Sequence, residues 1–137
     1  MSWAKSLIRI STYEVEVLQK RLSAVVEQRV AAEIKRAVLD AEGEAEAIHA
    51  RDDAEAGWSY IAFRDGLRLR KSQADAEILR LKLEEHGARE ALAGAFEAQK
   101  KYEHVAENAR RLELKETARR EGAAMDDLGM RRSGAGR

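Results

Sequence analysis

Through the second half of the chain, apolar residues recur at alternating steps of three and four. Ile78, Leu81, Ala88, Leu92, Ala95, Tyr102, Ala106 and Ala109 keep this rhythm, with Glu85 and Gln99 at its two polar positions. A 3.5-residue repeat sustained over more than four heptads predicts a helix that presents one seam to a partner helix. Polar residues inside such a seam fix register at some cost in stability. The first half carries its own seam, Val15, Leu18, Leu22 and Val25. Continuing that rhythm reaches Arg29 and Arg36, which are poor core residues. Steps of four reach Val26, Val30 and Ile34 instead, which predicts a stutter that locally unwinds the supercoil. Beyond it the stripe thins to Ala41, Ala45 and Ile48, so little area is buried and this part is expected to be softer.

Two long helices of one chain need a reversal. Residues 40–55 carry seven acids and one base, whereas residues 64–71 carry four bases and one acid. Folding near residue 56 lays the acidic run beside the basic one, and opposite charges across a helix pair favour one orientation. Gly57 lies there, and Asp52 with Glu55 has the spacing of a capping pair. The turn is placed at about 50–58, with Gly66 as the alternative. Because both helices rise equally per residue, residue 15 then lies opposite roughly residue 95, and the second helix outruns the first by about twenty residues. The expected fold is all-α: one long antiparallel two-helix coiled-coil hairpin domain with a longer second helix. Its helices span about 3–50 and 58–128, and residues 131–137 form a frayed basic tail.

Composition agrees with long helices. Ala, Glu, Leu, Lys and Arg supply 81 of 137 residues, and there is no Pro. With no Cys, a disulfide scaffold or thiolate metal site is excluded. The 25 bases and 25 acids cancel, so no net field draws the chain to nucleic acid or to an anionic membrane. No stretch approaches the roughly 18 apolar residues of a membrane span. The opening segment is too often interrupted by charge for a signal peptide, and a cytoplasmic location is expected.

Catalytic chemistry finds no foothold. No Gly-rich loop opens a helix, and His49, His86 and His104 lie too far apart for metal-ligand spacing. Asp126 and Asp127 are adjacent, so on a helix they point apart. No catalytic residue, cofactor or metal is expected. Doubled bases such as Arg110-Arg111 and Arg119-Arg120 read as a solvated face balanced by neighbouring Glu. Trp3, Leu7 and Ile10 share a face and read as the start of the seam, with a membrane-surface contact as the other reading.

Two clusters remain. Trp58, Tyr60 and Phe63 follow the turn and would either plug the tip or anchor a partner. Met125 and Leu128 share a face with no counterpart helix opposite, and such a face needs a partner.

These features together resemble the FliJ family of flagellar type III export proteins. The resemblance rests on the Trp58-Ser59-Tyr60-Ile61-Ala62-Phe63 cluster and on the ending from Glu116 to Arg132. That ending is a charged helix, an apolar-acidic step at Met125-Asp126-Asp127-Leu128, and closing arginines. It rests also on length, the absence of Cys, and the uneven hairpin. The resemblance implies a non-catalytic, central-stalk-like coiled coil that engages the hexameric export ATPase, the export gate protein and export chaperones. It implies a cytoplasmic protein, peripheral at the inner face of the plasma membrane. Met125, Asp126, Asp127, Leu128, Arg131 and Arg132 would then enter the ATPase ring, and Trp58, Tyr60 and Phe63 would face the gate or a chaperone. Alternatives are a generic coiled-coil adaptor, a virulence-type secretion stalk, a nucleic-acid-binding helical protein and a membrane-surface protein.

Overall fold

The computed structural model of the protein describes residues 2–135. Among them are two helices and no strand: α1 (Ser2–Asp52) and α2 (Ala54–Ala135). The fold is an all-α antiparallel coiled coil whose second helix is the longer. It forms two compact units, Glu16–Ala93 and Met1–Val15 with Gly94–Arg137.

The chain reverses at a single residue, Asp53, between the helices. The Asp53 carboxylate accepts a hydrogen bond from the Glu55 backbone N–H at 3.0 Å, and its carbonyl accepts one from Gly57 at 3.1 Å. Asp53 is therefore the N-cap of α2, satisfying a donor that the first helical turn leaves without a partner. The cap falls one residue after the Asp52 expected from the capping pattern. Gly66 lies inside α2, and residues 131–135, expected as a frayed tail, continue the helix. Residues 136 and 137 of that expected tail lie outside the described residues.

In the unit Glu16–Ala93, Val25, Leu67, Leu81 and Ala88 are buried along the seam. The stutter expected after Leu22 does not occur. Arg29 and Arg36 hold the seam positions half-buried, while Val30 and Ile34 point outward, 43% and 59% exposed. The reason is pairing. Arg29 Nε donates to Glu85 Oε2 at 2.6 Å, and Glu85 also accepts from Arg89 at 2.8 Å. Arg36 Nε donates to Asp75 at 2.8 Å and its Nη1 to Asp40 at 2.7 Å, while Lys71 Nζ sits 2.9 Å from Asp40. Each guanidinium keeps its charge among carboxylates, so no helical rotation is needed to remove it from the seam. The partners fall in number on α2 as they rise on α1, which is the antiparallel register. Asp40 with Lys71 also joins the acidic and basic runs.

At Gly43 the facing helix leaves no room for a side chain. A Cβ built there would lie 2.7 Å from Leu67 Cδ2, and Leu67 is itself buried. At Gly87, a Cβ would meet nothing within 4 Å. Gly87→Ala should thus gain about 1 kcal/mol from helix propensity. Gly43→Ala should lose most or all of the same gain to repacking of Leu67. Urea unfolding of the two variants checks this, and equal gains at both sites would refute the close approach.

In the other unit, Ala4, Ser11, Val15 and Ala95 are buried. Ser11 satisfies its hydroxyl within its own helix by donating to the Ile8 carbonyl at 2.9 Å. Gln99 Nε2 donates to Thr12 Oγ1 at 3.1 Å, so this polar seam residue also finds a cross-helix partner. Trp3 and Ile10 are exposed and Leu7 is half-buried. The seam therefore begins at Ala4 and not on the Trp3–Ile10 face. From Arg110 to Gly134, every residue of α2 is exposed except half-buried Glu116. This single helix is supported by pairs within itself. Glu107 pairs with Arg110 and Arg111, and Glu116 with Arg119 and Arg120.

Candidate functional site

The cluster after the turn divides by helix geometry. Tyr60 and Phe63, three residues apart, share the inner face with buried Leu67. The Arg70 guanidinium lies 5.6 Å from the centroid of the Phe63 ring, a cation–π contact within α2. Trp58 points the other way and is 80% exposed, with exposed Ile61 one turn later on its face. A plug made of all three aromatics is thus not formed: two rings are in the seam and the indole stands in water. Its exposure suits an anchor for a partner.

Below the tip, a groove between the helices is lined by Asp40, Gly43, Tyr60, Arg64, Leu67 and Lys71. Gly43 opens it by leaving no side chain beside Leu67. Asp40 is held below the ordinary carboxylate value, first by its hydrogen bond to Lys71 and then by Arg36. It remains ionised and serves as an acceptor.

Met125, Asp126, Asp127, Leu128, Arg131 and Arg132 all lie on the exposed end of α2. Met125 is 71% and Leu128 53% exposed, three residues apart on one face. Among the described residues of their unit nothing covers them. Both faces, the indole at the turn and the apolar pair near the end of α2, leave apolar area open to solvent. Among the described residues no three His, Cys, Asp or Glu side chains group to hold a metal. No described helix is long and apolar enough to cross a membrane.

Val30, Ile34, Ala41, Ala45 and Ile48, expected on the α1 stripe, lie instead with Val38 in water on the outer face of α1. The signal was present in the sequence: Glu85 and Asp75 stand opposite Arg29 and Arg36 once the chain reverses near residue 53.

The arrangement defines an antiparallel coiled-coil protein with exposed apolar residues at the turn and along the end of its second helix. Across 134 residues the chain is 51% identical to the flagellar FliJ protein of Caulobacter vibrioides, in each of two strains, covering 98% of this chain and 96% of the relative. The chain belongs to the FliJ family, and is thus a flagellar export component acting in flagellum biogenesis and protein export. No family model matches it, and no solved structure does.

Proposed function

We infer that the protein is a stalk-like, non-catalytic element that engages the hexameric export ATPase and links it to the export gate and chaperones. The observation that carries this reading is the end of α2. About 25 residues continue past the last one that α1 covers, held helical by their own ion pairs and presenting Met125 and Leu128 to solvent. A bare helix of this kind suits insertion into a ring whose lumen buries the apolar pair, with Asp126, Asp127, Arg131 and Arg132 matching polar groups around it. Trp58, with Tyr60 and Phe63 behind it, is the contact for gate or chaperone. The protein then acts from the cytoplasm, peripheral at the inner face of the plasma membrane, without nucleic acid.

Adding the full chain to the export ATPase of the same organism should raise ATP turnover and ring formation. Met125→Asp with Leu128→Asp should abolish most of that stimulation, because two carboxylates cannot be buried unpaired in the ring. Helicity should be unchanged, since both sites are exposed. Trp58→Ala should leave ATP turnover intact. Stimulation that survives the double substitution moves the ring contact elsewhere; no stimulation by the parent chain removes the stalk reading.

A further inference from the structure

The amphipathic order of α1 is reversed over its middle turns. Its inner face carries Arg29 and Arg36, whereas its outer face from Ala31 to Ile48 is apolar. Ala31, Ile34, Val38, Ala41, Ala45 and Ile48 lie outside at steps of three, four, three, four and three. That is a second heptad seam, about 26 Å or five turns long, on the side of α1 turned away from α2. Ile34, Val38 and Ile48 are 59%, 49% and 59% exposed, with no residue of this unit over them.

We propose that this outer face of α1 is a two-fold, antiparallel docking surface for the same face of a second copy of the chain. Side-chain size argues for it. Centred between Leu39 and Asp40, an antiparallel pair sets Ile34 against Ala45, Val38 against Ala41 and Ile48 against Ala31. Large meets small in every layer, the condition for interdigitation at close helix separation. Charge argues for it independently. Lys35 and Glu42 flank this seam on the same side. The two-fold axis brings Lys35 of each copy beside Glu42 of the other, giving two opposite-charge pairs from one chain. Neither residue makes an ion pair within 4 Å among the described residues of its own chain; Lys35 reaches the Glu77 carboxyl only at longer range. A parallel pair would set Lys35 beside Val30 and Glu42 beside Ala37, with no charge pair and with Ile34 against Ile34. Five turns is a small interface, so a weak dimer is expected, with Kd on the order of 10 µM.

Sedimentation equilibrium of the full chain from 1 to 300 µM tests this. The parent chain should pass from monomer to dimer across that range. Ile34→Asp should weaken the dimer at least tenfold with the helical circular dichroism unchanged, because the site is in water in the monomer. Lys35→Glu alone and Glu42→Lys alone should each weaken it several-fold. An equimolar mixture of those two variants should recover parental affinity, since every Glu then faces a Lys. A monomer at 300 µM would overturn the proposal. So would a dimer indifferent to Ile34→Asp but lost on Met125→Asp with Leu128→Asp, which would place self-association at the end of α2. Failure of the mixture to recover would overturn the antiparallel register. None of these outcomes depends on the export ATPase.

Discussion

Leu81→Ala is expected to lower the unfolding free energy by about 3 kcal/mol, the largest single-residue effect in the chain. Leu81 is 2% exposed, the most enclosed of the large side chains. Only four large apolar side chains are buried among the described residues, Val15, Val25, Leu67 and Leu81; the remaining buried apolar positions are Ala4, Ala88 and Ala95. A seam built largely of Ala gains little area per layer, so each Leu carries an unusual share of the stability. Its truncation loses transfer energy and leaves a gap that two long helices cannot close without shifting register. Leu69→Ala, at 60% exposure on the same helix, should stay within about 0.5 kcal/mol of the parent. Urea titration followed by helical circular dichroism distinguishes the two. A Leu81 variant within 1 kcal/mol of the parent would mean that the seam at this layer is not tightly packed.

The α2 seam was legible because its apolar residues obey the period almost without interruption, and its polar members Glu85 and Gln99 could be recognised as insertions. The α1 seam was legible only to Val25. Beyond it, local hydrophobicity favours Val26, Val30 and Ile34, and no rule confined to one helix would leave them in water. What decides is a long-range fact: Glu85, Asp75 and Lys71 stand across from Arg29, Arg36 and Asp40, so the charged register is satisfied where an apolar one was expected. The turn shows the same limit on a smaller scale. Asp52 and Asp53 both suit an N-cap, and the choice of Asp53 depends on where α1 stops packing. At the candidate contacts, sequence located the aromatic cluster but not its division. Helical spacing places Tyr60 with Phe63 and separates Trp58 from both, yet which of those faces meets α1 depends on the register set farther along.

Because the Arg29–Glu85 pair sets that register, its removal should have opposite effects in singles and in the double. Glu85→Leu should destabilise the protein, because Arg29 is left half-buried with only Glu33 beside it. Arg29→Leu with Glu85→Leu should equal or exceed the parent, since an apolar layer replaces two desolvated charges. The parent must also be acid-sensitive. Hydrogen bonds from Arg89 first and Arg29 second hold the Glu85 carboxyl below its ordinary value of 4.5. The unfolded chain therefore takes up this proton at higher pH than the folded one. The pair's contribution is present above about pH 4.5 and is lost as pH falls through the depressed folded value. Asp40, lowered by Lys71 and Arg36, adds a loss of the same sign below its ordinary 3.8. The double variant should keep the Asp40 part and lose the Glu85 part, so its stability should fall less between pH 7 and pH 3. Denaturation at both pH values measures the difference. An unchanged acid loss would show that Glu85 does not carry this linkage. A double variant less stable than either single would show that the pair, and not the apolar positions around it, holds α1 and α2 together.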